Sequence, residues 1–454
     1  MTAAPESDRV ITSEDDLLEV FQKAFRPEAR FVGIEAEKFG IFEDGRPLRY
    51  HDEPGRPGVE TLFRALSSRY GWTPEAEKPG GPPLSLLRGA TSITLEPGSQ
   101  FELSGSPCAD VHAVLAEVET HRAELASLTE AQGLHWVGLG FNPIARQEDL
   151  DWVPKSRYPV MRAYFPTRGT RGLEMMRRTA TVQANFDFSS EGDAMRKLRA
   201  GLAASVIATA LFASSQVVEG VRRPIASHRA WVWLDTDNDR AGLLPFAWKP
   251  DARLGDYVRH ALDVPMFIVK RDGAAIDATR HTFRRFLADG IEGHRATMAD
   301  WESHLKTLFP EARLQKTLEV RGADSVPARW SMALPALWLG LLYDDEALDF
   351  IDARLVPIGH DAWAEARAKV AAEGLRAAVA GTTVGALANE LLAVADAALA
   401  RRARRDAAGR DERVYLAPLI EAAARGQSIG DVVLGDWSHE RPGALAALLE
   451  RAAY

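Results

Sequence analysis

The chain has 454 residues, a single cysteine (Cys108) and a formal charge of −9 from 55 basic and 64 acidic side chains. That length allows a large core or two to three ordinary domains, and the charge argues against general affinity for nucleic acid or an anionic membrane. One cysteine excludes an intramolecular disulfide and any multi-cysteine metal site; with 46% hydrophobic and 26% charged residues, the expectation is a globular protein of the reducing cytoplasm.

The opening stretch, "MTAAPESDRVITSEDD", is polar and acidic and has none of the features of a signal peptide. Thr12 or Ser13 is expected to cap a helix running to about Phe25. A strand follows at 31–37, then a helix in "GVETLFRALSSRYGW". A loop at 74–83, rich in Pro and Gly, leads to the strand "SITLE", the turn "PGSQ" and the strand "FELSG". A long helix is expected from about Asp110 to Ala131. "VGLGFNP" at 137–143 is read as a loop with no phosphate role. "TATVQANFDF" is a strand and "EGDAMRKLRAGLAASVIATALFA" a helix. Its apolar run is shorter than the roughly 20 residues a bilayer requires, so it reads as a buried core helix. "SHRAWVWLD" and "TLEVRG" are expected strands. Beyond about Ala328 the pattern is helical to the end, broken at "AGTT" and "GQSIGD". Strands this scattered and this alternating favour an antiparallel sheet over a doubly wound parallel one. The expectation is an α+β catalytic region over 1–328, with a helical region over 329–454 packed on the same single large domain.

Side chains alternate faces along a strand. Val32, Ile34 and Ala36 therefore oppose Glu35 and Glu37. Ile93 and Leu95 oppose Ser92, Thr94 and Glu96. Phe101 and Leu103 oppose Gln100, Glu102 and Ser104. Val182, Ala184, Phe186 and Phe188 oppose Thr181, Gln183, Asn185 and Asp187. Leu318 and Val320 oppose Thr317, Glu319 and Arg321. "HRAWVWLD" read the same way puts Arg229, Trp231 and Trp233 on the polar side. A sheet with one wet face accounts for any one of these strands. The set is more specific. Five polar positions are glutamate, a poor strand former, and none is lysine. Carboxylates with a few Arg, Gln and Asn suit a hard cation such as Mg²⁺ or Mn²⁺ beside anionic groups. Nucleotide-dependent phosphoryl transfer uses that combination.

The P-loop, dinucleotide, zinc-protease and nucleophile-elbow motifs are all missing from the sequence. The eleven histidines form no ligand-spaced pair. Lone ones such as His112 and His135 read as helix-surface or core residues. The tryptophans around "RWSMALPALWLGLLYDD" have helical spacing and read as core.

"GIEAEKFGIF", "ITLEPGSQFELSGSP", "MMRRTATVQANFDFSSEGDAMRKLRAGLAASVIATALFASS", "WLDTDNDRAGLLPF", "ALDVPMF", "DWESHLKTLFPEARLQKTLEVRGAD" and "ALPALWLGLLYDD" occur in that order from about Phe31 to Asp345. This series resembles the plant-type glutamate–cysteine ligases, a family shared with proteobacteria. The resemblance implies a glutamine-synthetase-like catalytic fold, a curved antiparallel sheet forming a funnel with helices outside. It implies ATP-dependent joining of the γ-carboxylate of L-glutamate to the amine of L-cysteine through γ-glutamyl phosphate, the first step of glutathione biosynthesis. The implied partners are these small molecules, with no nucleic acid and no membrane, and the expected assembly is a monomer or weak homodimer. Glu35, Glu37, Glu96, Glu102 and Glu319 match the family's acidic positions and are assigned to Mg²⁺ (or Mn²⁺). Arg229 is assigned to the substrate glutamate's carboxylate and Arg321 to phosphate or transition-state charge, the two being the catalytic candidates. Arg178, Gln183, Asn185 and Trp231 are placed on the substrate side. Lys38 and Arg240 are candidates for ATP phosphate contact, with Lys38 on the opposite parity to Glu37.

Three features depart from the family's pattern. Ala36 stands where histidine is usual, on the core-facing parity. Trp231 also stands where histidine is usual, on the parity of the site. The paired cysteines of the plant redox switch are missing, so activity is expected to be equal with and without reductant. A large reversible loss on oxidation would contradict this. The alternatives are a ligase of the same chemistry with another amine acceptor, or a silent paralogue that binds nucleotide or amino acid.

Overall fold

The computed structural model describes residues 8–271 and 273–454. The reading of the first seven residues as free of a signal peptide lies outside the described residues. Nine strands form one sheet: β1 (Val32–Phe42), β2 (Thr73–Glu75), β3 (Ser85–Arg88), β4 (Thr91–Leu95), β5 (Phe101–Ser104), β6 (Leu134–Val137), β7 (Val182–Phe186), β8 (Ala312–Leu314) and β9 (Leu318–Val320). Their order is β8-β9-β7-β1-β5-β4-β3-β2, and β6 pairs with the far half of β1. All pairings within it are antiparallel, as the alternating strands predict. β1 runs five residues past Glu37, because "KFGIF" continues in extended form against β6.

The apolar parity of β1, with Val32, Ile34 and Ala36, is buried in the main core. Helices cover that face. Ser190 caps the helix Glu191–Phe212 by accepting from Asp193 N, and the helix is buried on nearly every side, as an all-round apolar helix must be. Gly201 brings it close to the sheet: a Cβ there would stand 3.0 Å from that of Ala312. The helix Ala333–Leu342 packs on β7 and β1, and Val384–Arg402 packs on it in turn. The main core takes in residues from Ile11 to Tyr454, so the helical region after Ala328 shares one core with the sheet. A two-residue hairpin, Ala378–Val379 with Thr382–Thr383, interrupts it at "AGTT". Among the described residues no helix is long and apolar enough to cross a membrane.

Three local expectations fail. Residues 74 and 75 of the expected loop belong to β2, which pairs with β3. The first helix ends at Gln22 rather than Phe25. "SHRAWVWLD" forms a short helix, His228–Trp233, instead of a strand. Its Val and two Trp favour extended backbone. The hydroxyl of Ser227 overrides that preference by accepting from Ala230 N at 2.9 Å, which supplies the helix N-cap.

Candidate active site

The polar face of the sheet floors a cavity of about 650 Å³. Glu35, Glu37, Glu96, Glu102 and Glu319 all line it, together with Gln183, Asn185, Arg229 and Arg321. Strand register is what brings them together. Thr94, Glu102 and Glu37 are cross-strand neighbours on β4, β5 and β1. Ser104, Glu35 and Gln183 form the adjacent row across β5, β1 and β7. Asn185, Glu319 and Arg313 form a further row across β7, β9 and β8, beginning opposite Gly33 of β1. Glu96 enters from the β4–β5 turn, where Glu96 N donates to Gln100 O and Ser99 N to Glu96 O, both at 3.0 Å. Gln100 pins this turn by donating to Thr179 O at 2.9 Å and Met176 O at 3.2 Å. Only glycine fits at 98, since a Cβ there would lie 2.4 Å from Arg177 O.

Each acid has a distinct setting. Asn185 Nδ2 donates to Glu35 at 2.9 Å, and Thr181 N donates to Glu37 at 2.8 Å. Thr94 donates to Glu102. Arg313 grips Glu319 through Nε at 3.0 Å and Nη2 at 2.7 Å, and Arg321 contacts its other oxygen. Arg321 also donates to Gln183 Oε1 at 2.7 Å. Burial, then the charges of Glu319 and Glu102, push the Glu35 carboxyl up to about 8. Burial and the neighbouring Glu96 and Glu102 push Glu37 well above the usual carboxylate range. Burial and Glu102 raise Glu96 as well. Burial would raise Glu319 too, but Arg313 and Arg321 outweigh it and hold that carboxyl low.

Desolvated like charges this close hold protons unless a cation joins them. The donor set fits a hard divalent cation: it is rich in carboxylate oxygen, and no histidine or cysteine lines the cavity. Among the described residues no three such side chains already close around one point, and Glu319 is spoken for by two arginines. The fit is therefore to a cation that keeps part of its water shell.

Four predicted site residues lie outside this cavity's lining. Lys38 points into the core, as its parity requires. It is 0% exposed, donates to Ala36 O at 3.0 Å and stands 4.5 Å over the Tyr454 ring. Arg240 is buried in a structural cluster, donating to Asp237 at 2.6 Å, Pro265 O at 2.8 Å and Thr307 O at 3.0 Å. Arg178 pairs with Glu219 at 3.2 Å and lies over the Phe141 ring. Trp231 is 37% exposed and stacks on Arg171. The error at Trp231 follows from the helix: two residues on a strand return to the same face, whereas on a helix they turn about 200°. Trp233, four residues after Arg229, comes back round and lines the cavity instead.

Several lining residues escape sequence reasoning. Arg313 carried a signal in its alternation with Ala312 and Leu314, and it stands directly opposite Glu319. Lys155, Arg157, Lys270, Lys306 and Lys316 line the same cavity, Lys270 pairing with Glu77 at 3.3 Å and Lys316 with Glu302 at 2.9 Å; they come from loops and strand or helix ends scattered along the chain, with no shared pattern. Lys155 donates to Leu95 O at 2.7 Å, and burial, then Arg157, lowers its amine to about 8.

The description "Glutamate-cysteine ligase family 2" matches residues 31–448. The chain is 42% identical over 356 residues to the chloroplastic glutamate–cysteine ligase of Brassica juncea, covering 76% of this chain and 68% of that protein. It is 41% identical over 412 residues to the corresponding protein of Medicago truncatula, covering 88% and 78%. Among solved structures it is similar to glutamate–cysteine ligase from Francisella tularensis in complex with AMP. That match has a TM-score of 0.55 at 12% identity and covers 94% of this chain and 88% of the other; it speaks to the fold alone.

Proposed function

The chain belongs to glutamate-cysteine ligase family 2, and from that membership we infer that it joins the γ-carboxylate of L-glutamate to the amine of L-cysteine using ATP, the first step of glutathione biosynthesis. The observation that carries the reading is the convergence of five glutamates and two arginines in one cavity that lysines also line, the strand glutamates being brought together by register.

A carboxylate is a poor electrophile at neutral pH, so ATP first phosphorylates it to γ-glutamyl phosphate. The cysteine amine then attacks the acyl carbon and phosphate leaves. Arg229 binds the carboxylate of L-glutamate, the guanidinium fork matching its two oxygens. Arg321 stabilises charge on the transferring phosphoryl group. Lys155, Lys306 and Lys316 hold the polyphosphate as point charges. Glu35, Glu37, Glu96, Glu102 and Glu319 would hold Mg²⁺, and the cation would supply the charge that offsets repulsion between the anionic substrates.

One assay tests the reading. The protein is incubated with ATP, Mg²⁺ and L-glutamate while the amine is varied, and phosphate release and product mass are measured. Cysteine-dependent release with γ-glutamylcysteine formed is the expected result. Release in the absence of every amine, or no turnover with any, would overturn it.

The acids predict a pH effect. Glu35 holds its proton to about pH 8 in the folded chain against an ordinary value of 4.5. Its contribution to stability is full below the unfolded value and is lost as pH rises towards 8. Mg²⁺ must displace that proton, so its affinity rises by roughly tenfold per pH unit for each proton released. Thermal melts with and without Mg²⁺ are expected to show a larger Mg²⁺ increment at pH 8 than at pH 6. An increment flat with pH would separate Glu35 from the metal.

A further inference from the structure

We propose that Asp324 is the positioning residue for Arg229: it clamps the short helix His228–Trp233 to the end of the carboxylate-bearing sheet and so sets where Arg229 stands. This rests on the reading of Arg229 as the residue that binds the carboxylate of L-glutamate.

Asp324 is 0% exposed. Its Oδ2 accepts from Ser214 N at 2.9 Å and from Ser215 Oγ at 2.6 Å, and its Oδ1 accepts from Ser227 Oγ at 2.9 Å. The Arg229 guanidinium lies 3.9 Å from Oδ1, an ion-pair distance rather than a hydrogen bond. The two serines act as relays. A hydroxyl has one proton to give. Ser215 gives its proton to Asp324 and accepts from Arg229 N at 3.0 Å. Ser227 gives its proton to Asp324 and accepts from Ala230 N at 2.9 Å. An ionised carboxylate can only accept, so it points both hydroxyl protons inward and both lone pairs at the helix. Those lone pairs satisfy two N–H groups that the helix start leaves unpaired. A six-residue helix has little stability of its own, so its direction comes from such contacts.

The other side of the clamp is the acid wall. Asp324 bridges Thr181 across the sheet. Thr181 donates through Oγ1 to Ala323 O at 2.6 Å and through its N–H to the Glu37 carboxylate at 2.8 Å. Ser325 Oγ donates to Glu37 O at 2.6 Å. The Arg229 guanidinium itself donates to Gly322 O at 3.2 Å and Arg321 O at 3.0 Å. Both ends of Arg229 are thus referenced to residues 321–325, which also fix Glu37. The chain makes room for the clamp at Gly140, where a Cβ would lie 2.3 Å from Asp324 Cγ. That accounts for a glycine in "VGLGFNP". A buried carboxylate is a costly way to hold a helix that apolar packing would hold as well; what it adds is a fixed direction.

Asp324→Asn keeps the shape but puts a donor where an acceptor stood, so one serine must turn away from the helix. Steady-state kinetics with L-glutamate and ATP varied separately test this, in the wild-type and Arg229→Ala backgrounds, with calorimetric Kd for L-glutamate where turnover is too slow. The expected result is a KM for L-glutamate raised by about tenfold or more, with KM for ATP changed by less than about twofold. Ser215→Ala is expected to shift in the same direction by less. In the Arg229→Ala background Asp324→Asn is expected to add nothing, the mark of two residues acting as one unit. Equal changes in both KM values, or an undiminished effect without Arg229, would reduce Asp324 to a structural residue and overturn the proposal. If Arg229→Ala weakens glutamate binding but Asp324→Asn does not, the proposal alone falls. If Arg229→Ala leaves glutamate binding unchanged, the reading of Arg229 falls and takes the proposal with it.

Discussion

Glu35→Gln is expected to lower ligation by roughly 10²–10³-fold while the protein stays folded. The amide keeps the shape of the side chain, and its carbonyl can still accept from Asn185 Nδ2, now at 2.9 Å. What it loses is charge. Burial and the carboxylates Glu319 and Glu102 already oppose that charge, so its removal relieves the ligand-free protein. Melting temperature is therefore expected to rise in the variant at pH 8 and to match the wild type at pH 5, where native Glu35 is neutral. The same change deprives Mg²⁺ of an anionic oxygen and of the pH-dependent increment that goes with it. Phosphate release, product mass and paired melts check all three points. Wild-type turnover in Glu35→Gln would remove this residue from the catalytic set.

Arg321→Ala is expected to cost more, roughly 10³-fold or more in kcat, because an arginine on a transferring phosphoryl group acts where charge develops. The fold is expected to tolerate the loss. Glu319 keeps both of its contacts to Arg313, at 3.0 and 2.7 Å, so it does not become an unpaired buried charge. Gln183 loses a donor but borders the cavity and can turn to solvent. Arg321→Lys is expected to recover only part of the rate, since an ammonium reaches fewer oxygens than the planar fork. A kcat within about tenfold of wild type in Arg321→Ala would place the phosphoryl-stabilising charge on another residue.

The two variants probe the part of the site that was most legible. In a strand, parity alone separates Glu35 and Glu37 from Val32, Ile34 and Ala36, and the same holds for Glu102 and Glu319 on their strands. Their shared cavity follows once the strands pair without a slip. Parity also sets Lys38 against the core, where the structure has it. Trp231 failed for the converse reason. Its assignment borrowed strand parity for a segment that one serine cap turns into a helix. Arg178 and Arg240 lie outside the cavity's lining, and an arginine in a motif reads alike whether it meets a ligand or an acid of its own chain. Asp237 and Glu219 are what they meet.

Taken alone, the sequence determined the apolar and acidic faces of the strands, the buried helix Glu191–Phe212, the antiparallel character of the sheet and the family resemblance. These are local or collinear properties, carried by periods of 2 and 3.6 residues and by motif order. Only the tertiary structure decided which cations share the cavity with the acids, that Glu319 is gripped by Arg313 as well as Arg321, and that Asp324 ties Arg229 to Glu37. Those contacts join residues far apart in the chain, Glu37 to Ser325 for example. A hydrogen bond or ion pair depends on distances of about 3 Å between atoms that folding alone brings together.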